Sequence, residues 1–419
     1  MKPKPRVAML AWESPWPGYS GCALRQQGLL IELARHAEVD LVVLTGEPLA
    51  ASQRAKCLEF AATLTEVPLR TRTLRDRLGI LGLAFWCCMP FHSAMVRWSV
   101  RDTNLCHRLL GRCDLVYCST SHWGGLVQDR QVLDGWILDQ HNADVDFWRV
   151  YAREGRSLPL RLAAVVNARL AAAHFRNLYP RVSRVVCVSE EDRVRTVALA
   201  PQCQAVVIEN GVDCDYFAPQ RKLSSGRKRL LFTGTDTGRN MKALTAFMGR
   251  TLPRIRSVVP GVEFVIGGSF GPASQRVLNS YGRATFTGPV PDLRPWYDSS
   301  DVFVAPFSES YGSKLKISQA LAMGICVVTT KAAARGFPLI DGQSAHIVDD
   351  QNDSEFARKT IDALVEPLAR ESIGKAGREI ALRHLDWTVL GETLNQCLLD
   401  SASQPSRAAG ASVSPARCS

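Results

Sequence analysis

The chain has 419 residues, 46% of them hydrophobic and 22% charged, with 51 Lys and Arg against 40 Asp and Glu. That is ordinary globular composition, long enough for two cores of roughly 150 to 200 residues each, and it excludes a small disulfide-stapled scaffold. A net charge of +11 and a pI near 9.1 point to an acidic partner, either nucleic acid, an anionic membrane surface or a phosphorylated substrate.

The N-terminus, Met-Lys-Pro-Lys-Pro-Arg, has the charge of a signal peptide without its apolar core, so a chain that is not exported is expected. The 13 cysteines are scattered with no CxxC pair. This spacing predicts reduced thiols and a cytoplasmic location rather than a disulfide framework or a zinc site. The longest apolar run, Leu78 to Cys88, falls well short of the roughly 20 residues that span a bilayer. Residues 68–101 carry six Arg and one Asp around that run, with Trp86 and Trp98. Two readings of this segment stand open: an interfacial anchor on an anionic membrane, or a buried helix with a solvated charged edge.

Short β-branched apolar runs alternate with longer amphipathic stretches, the pattern of parallel sheets with helical crossovers. Strands are predicted at Val7–Ala11, Val39–Leu44, Leu115–Ser119, Ile137–Gln140, Val185–Val188 and Val206–Ile208. The clearest helix is Leu158–Leu178, where Leu162, Val165, Val166, Leu170 and Phe175 follow a 3.6-residue period and Arg161, Arg169 and Arg176 share another face. A polar stretch, RKLSSGRKR, then reads as a linker at 219–228. Strands resume at Leu230–Thr233, Val262–Ile266, Ala284–Thr287, Val302–Pro306, Cys326–Thr329 and His346–Val348, with helices at about Asn240–Val258 and Lys314–Met323. The expected architecture is α/β: two Rossmann-like, doubly wound parallel-sheet domains facing a cleft, residues 1–218 and 229–400. Residues 401–419 are too polar and small to order themselves.

Parallel sheets bind ligands beyond the carboxyl ends of their strands, which makes the loops after each strand informative. After the first strand, Gly18 and Gly21 let backbone approach a ligand at a helix start, where free N–H groups suit a phosphate. A plain strand-to-helix turn is the other reading. After the strand ILDQ, His141 can hydrogen-bond a sugar hydroxyl or serve structure. After VFVAP, the loop FSESYGSK leads into a helix: Gly312 and Ser313 free the backbone, Lys314 and Lys316 add charge, and Gln319 offers an amide. After LLFTG, Arg239 and Lys242 again put cations at a helix start. Two cationic helix starts in one half argue for a diphosphate. The string GTDTG does not fit GxGxxG, so no dinucleotide fingerprint is claimed.

The ordered set PWPGYSGCALRQQGLL, DQHNADVDFW, VVCVSEED, VVIENGVDCDYF, LLFTG, FTGPVPDL, DVFVAPF and KLKISQALAMGICVVTT resembles the family 4 glycosyltransferases, retaining enzymes of the GT-B fold, also described as glycosyl transferases group 1. The resemblance runs from Arg6 to about Leu398. It implies that Gly18 and Gly21 line the donor phosphates, that His141 contacts the donor sugar, and that Lys314, with Arg239 or Lys242, neutralises a leaving diphosphate without a metal. The donor would be a nucleoside diphosphate sugar, and the acceptor a glycan or lipid-linked intermediate of cell-surface polysaccharide synthesis. No nucleic-acid partner is expected. The family has two glutamates eight positions apart. Here Gln319 holds the second position and Tyr311 the first, with Glu309 able to serve as the first if the loop is two residues longer. A scaffold without catalysis, or a nucleotide-sugar epimerase on the same fold, are the other readings.

Overall fold

The computed structural model describes residues 4–403 except 19, 72, 102–104, 106–110, 127–132, 142–143, 155–156, 221–227 and 309–314. The chain forms two compact units: Met1–Ile208 together with Gly391–Ser419, and Glu209–Leu390.

In the first unit the strands are β1 (Arg6–Ala11), β2 (Glu38–Thr45), β3 (Thr63–Pro68), β4 (Leu115–Cys118), β5 (Leu133–Gln140), β6 (Val182–Cys187) and β7 (Ala205–Val207). They make one parallel sheet in the order β3-β2-β1-β4-β5-β6-β7. The second unit holds β8 (Arg229–Thr233), β9 (Glu263–Gly267), β10 (Thr285–Phe286), β11 (Val302–Ala305), β12 (Cys326–Thr330) and β13 (His346–Val348), parallel in the order β10-β9-β8-β11-β12-β13. The two sheets have the same winding. Each runs outward from its first strand and then reverses, so each has a switch point, between β1 and β4 and between β8 and β11. Crevices at such points are where open parallel sheets hold ligands.

All twelve expected strands are present. The thirteenth, β3, was not anticipated because it is a polar edge strand ending at Pro68, half-buried along most of its length. Central strands such as β4, β11 and β12 are buried throughout, and that burial made them legible as continuous apolar runs.

The boundary differs from the expected 219–228. Residues 209–217 fold onto the second unit, where the Val212 N–H donates to the Leu385 carbonyl at 2.8 Å and the Cys214 N–H to Asp386 Oδ2 at 3.0 Å. Most of the expected linker lies outside the described residues, as does most of the tail. The helix Trp387–Ala402 starts in the second unit and ends in the first, where Leu394, Cys397 and Leu398 are buried. A Cβ on Gly391 would stand 2.3 Å from Glu32 Oε2, so a side chain here would push the Glu32 carboxylate of the Gly21–His36 helix aside.

The Leu158–Leu178 helix forms as expected, with a correction. Its buried residues are Ala164, Asn167, Ala168, Ala171, His174, Phe175 and Leu178, whereas Leu162, Val165 and Val166 are exposed. Of the five apolar residues on the expected period, Phe175 is buried and Leu170 half-buried while the other three turn outward, and three of the seven buried residues are alanine.

Candidate functional site

In the second unit the switch point is built from Gly234 and Thr235 after β8 and Phe307 after β11. A Cβ on Gly234 would lie 2.7 Å from Asn240 Nδ2 and 2.9 Å from Lys316 Nζ, so a side chain here would displace both polar groups. Behind it, Gly268 at φ +112° brings its own α-carbon against the Gly234 carbonyl, where a side chain would clash at 2.0 Å. This double glycine turn lets backbone and cations share a small space. Asn240 donates to the Thr235 carbonyl at 2.7 Å, and its Oδ1 accepts from Lys316 Nζ at 3.0 Å. The same ammonium lies 4.4 Å from the Phe232 ring centroid and 4.8 Å from that of Phe307, and the Arg239 guanidinium lies 5.7 Å from Phe307. Arg239 and Lys316, from two different helix starts, therefore converge on the Phe307 ring. Rings whose faces carry partial negative charge favour cations there.

Of the expected site residues, Arg239 stands in this cluster. Lys242 is on the exposed side of the same Gly238–Ala246 helix. Gln319 is one turn past Lys316, and its Oε1 accepts from the Tyr297 hydroxyl at 3.4 Å, which in turn pairs with Thr233 Oγ1 at 3.0 Å. Glu309, Tyr311, Gly312, Ser313 and Lys314 lie outside the described residues. Asn240 was not anticipated. Its place in the first turn after the Thr237 cap, on the strand-to-helix loop already singled out, was the available signal.

In the first unit the switch point is lined by Trp12 after β1, Ser119 to His122 after β4, and His141 after β5. Gly18 packs where a side chain would reach within 2.7 Å of Leu24, and Gly21 opens the Gly21–His36 helix, capped by the Ser20 hydroxyl accepting from the Ala23 N–H at 2.9 Å. Beneath the loop sits a buried ion pair. Arg25 donates twice to Asp139 at 2.9 and 3.1 Å and to the Ile208 carbonyl at 2.9 Å, while the Tyr117 hydroxyl donates to Asp139 at 2.8 Å. Both charges are fully buried, and each is paired and further hydrogen-bonded, as burial demands. This pair fixes the end of β5 two residues before His141, and sequence reading had no signal for it beyond two charges far apart in the chain.

His141 is neutral at physiological pH. Burial lowers its pKa to about 4, with Asp139 opposing and Arg25 reinforcing that shift, and the Ser119 backbone also bonds the ring. Its Nε2 is buried without a hydrogen-bond partner among the described residues. An imidazole held neutral and unsatisfied in this way is set to bond a ligand hydroxyl.

Residues 227–366 match the family described as Glycosyl transferases group 1. The chain is 27% identical over 235 residues to the GDP-mannose-dependent alpha-(1-6)-phosphatidylinositol monomannoside mannosyltransferase of Mycolicibacterium smegmatis, covering 51% of this chain and 61% of that protein. It is 32% identical over 206 residues to the phosphatidyl-myo-inositol mannosyltransferase of Mycobacterium tuberculosis, covering 45% and 52%. The matched part thus spans between half and two thirds of these relatives. In structure it resembles the sucrose-phosphate synthase of Thermosynechococcus elongatus, with TM-score 0.69, 18% identity and coverage of 94% of this chain and 98% of that one. Two parallel-sheet units with the same winding and the likeness of the whole chain to solved structures give the chain the GT-B fold, and its residues 227–366, which hold the cationic switch point, match the group 1 glycosyl transferases.

Proposed function

We propose that the protein is a retaining glycosyltransferase that moves a hexose from a nucleoside diphosphate sugar to the hydroxyl of a lipid-linked or glycan acceptor. The observation that carries this reading is the convergence of Arg239 and Lys316 at the switch point of the second sheet, inside the segment that matches the family. Cleavage of a sugar–diphosphate bond puts negative charge on the leaving oxygens, and two fixed cations at the β8–β11 switch point stabilise that charge without reorganising. In this reading the residues supply the charge that a metal supplies elsewhere. His141 serves a substrate hydroxyl through its unpaired Nε2. Retention is inferred from family resemblance, and hexose and lipid from the names of the mycobacterial relatives.

The membrane part of the proposal rests on two helices of the first unit. Leu74–Trp86 buries only Ile80 and Ala84 and turns Leu74, Leu78, Leu81, Phe85 and Trp86 outward, Trp86 at 90% exposure. Leu158–Leu178 turns Leu158, Leu162, Val165 and Val166 outward. The Phe91–Val100 helix, which packs on Leu74–Trp86, meets Leu158–Leu178 where the Phe91 N–H donates to Asn167 Oδ1 at 2.8 Å. No single described helix is long and apolar enough to cross a membrane, and the Leu74–Trp86 and Phe91–Val100 helices, apolar enough together, meet at 119°. Seven arginines accompany these faces (Arg75, Arg77, Arg97, Arg101, Arg161, Arg169 and Arg176), while the one acid, Asp76, is bonded to Thr73 and to the Trp98 indole at 2.9 Å. Apolar side chains with a cationic surround suit the plane of an anionic bilayer.

The test is a turnover assay on the purified protein with a panel of nucleoside diphosphate sugars, read by diphosphate release and by the anomeric configuration of the product. Consumption of one donor class with retained configuration is expected. Failure to consume any donor, with or without acceptor, contradicts the proposal. A second reading, binding without turnover, draws on Gln319 standing where the family has a carboxylate, since a neutral amide holds ribose hydroxyls less strongly than a charge-assisted bond does.

A further inference from the structure

Lys316 extends from the Leu315–Ala322 helix on a flexible stem, and such an ammonium serves a charge that develops at one place only when it is held there. The faces of Phe232 and Phe307 attract it without fixing a direction. The direction comes from Asn240. This side chain is buried, its Nδ2 donates to the Thr235 carbonyl at 2.7 Å, and its Oδ1 accepts from Lys316 Nζ at 3.0 Å. With the nitrogen committed to a backbone carbonyl, the amide has one way round, and its oxygen faces the lysine. That carbonyl is itself anchored, since the Gly234 N–H on one side of Thr235 donates to the Gly267 carbonyl at 2.9 Å and the Asp236 N–H on the other to the Ser269 carbonyl at 2.8 Å. Asn240 is held at its own backbone too, in the first turn of the Gly238–Ala246 helix, where its N–H donates to Thr237 Oγ1 at 3.3 Å. The chain of bonds therefore runs from the end of β9 through the loop after β8 to the tip of Lys316.

The residue type matters as much as the place. A carboxylate at position 240 would accept from an ammonium more strongly, but it would neutralise the charge it holds. The amide binds through its dipole and leaves the unit charge of Lys316 to act on an anion. Of the three N–H donors of that ammonium, one goes to Asn240. Gly234 completes the arrangement, because a Cβ there would press on Asn240 Nδ2 and Lys316 Nζ at once.

We propose that Asn240 is a positioning residue: it aims the Lys316 ammonium at the β8–β11 switch point through a neutral hydrogen bond, so that the lysine is fixed in direction and keeps its charge for a diphosphate. Asn240 acts on the ligand through Lys316. The identity of that ligand rests on the proposed function, while the hold of Asn240 on Lys316 does not.

The experiment uses the full chain and two readouts. The first needs no ligand: the rate at which an amine-acylating reagent modifies each lysine, resolved by mass spectrometry of the peptides, with the exposed Lys331 as internal reference. Only a neutral amine reacts. Lys316 is therefore expected to react faster in Asn240→Ala, where the ammonium loses its acceptor, and more slowly in Asn240→Asp, where a carboxylate favours the charged form, while Lys331 keeps its rate. An unchanged Lys316 rate in both variants overturns the proposal. Should Asn240→Ala be unfolded at the assay temperature, Asn240→Asp, of the same size, carries the test. The second readout is calorimetric titration with uridine diphosphate and guanosine diphosphate. Asn240→Ala is expected to weaken the diphosphate that binds by about fivefold or more, and to change the affinity of Lys316→Ala by less than about twofold, because a residue that acts through a lysine has nothing to act on once it is gone. Asn240→Asp should also weaken binding although it holds the lysine more firmly, so the two readouts move in opposite directions. Equal weakening by Asn240→Ala with and without Lys316 would assign Asn240 to the fold alone, and wild-type affinity in Asn240→Asp would remove the need for a neutral partner; either overturns the proposal. If neither diphosphate binds the wild type, the proposed function fails, while the labelling rates still decide whether Asn240 holds Lys316.

Discussion

Arg25 and Asp139 show how a site residue depends on charges that never touch substrate. Two ions without water are tolerated only while both are present, and removing one strands the other. Asp139→Asn or Arg25→Met is expected to cost about 3–5 kcal/mol of stability, the usual penalty for breaking a buried pair, measured as the shift of a urea unfolding midpoint at unchanged slope. A change below about 1 kcal/mol would mean that water reaches the pair. The buried histidines set a pH dependence whose sign can be worked out. His122, His141 and His174 have folded pKa values of about 3, 4 and 4, below the unfolded value of about 6.5, because burial disfavours the charged ring. Above pH 6.5 neither state binds the proton. Below it the unfolded chain takes up protons that the native chain refuses, so stability is present above the unfolded pKa and falls as pH drops toward 4. A phenylalanine at 174 should flatten that slope, read by thermal denaturation at pH 7 and pH 5. None of this was legible in the sequence. His141 stood out from its place after a strand, but its protonation state depends on its burial, with smaller contributions from Asp139 nearby and from Arg25, more than a hundred positions away in the chain.

At the level of single elements, the Leu158–Leu178 helix teaches the sharpest lesson. Its 3.6-residue period was plain, and it formed over the expected residues. Periodicity reports that one face is apolar, however, not which face is covered. Ala164, Ala168 and Ala171 are buried together with Phe175 and Leu178 from the C-terminal half, while Leu158, Leu162, Val165 and Val166 are left outside, Leu158 at 67% exposure. The same holds for Leu74–Trp86, where the glycine at 79 makes room for Trp98, whose ring would otherwise be met at 2.2 Å by a Cβ. Of the two readings of residues 68–101, the exposed face fits the anchor better than a buried helix with a charged edge. Trp86→Glu with Leu162→Glu should leave thermal stability nearly unchanged, since exposed positions rarely matter by more than about 0.5 kcal/mol. It should abolish flotation with vesicles containing anionic phospholipid. Persistence of flotation in that variant, or equal flotation of wild type with purely zwitterionic vesicles, would contradict a cationic interfacial face. The expected strands fared better because a central parallel strand is buried on both faces, and a short continuous apolar run leaves little choice.

For the molecule as a whole, one winding used twice explains why both candidate sites could be located from loops alone. The sequence places cations after β8 and β11 and histidine after β5, and the reversal of each sheet brings such loops together. What the sequence could not supply was partnership: Lys316 with Asn240, Gly234 with Gly268, and the return of the last helix to the first unit. Those are contacts between segments far apart in the chain, with no local pattern to announce them. The strings that carried the resemblance divide by role. In ENGVDCDYF, Val212 and Cys214 bond the end of the second unit, and the Phe217 carbonyl accepts from Arg378 at 3.0 Å, so part of that motif serves architecture. The central claim is that the β8–β11 switch point holds the diphosphate of a nucleotide sugar. Calorimetric titration of wild type, Arg239→Ala and Lys316→Ala with nucleoside diphosphates tests it most directly. The account predicts that one diphosphate binds the wild type and that each substitution weakens it tenfold or more with the fold intact; binding unchanged by both substitutions, or no diphosphate bound at all, would contradict it.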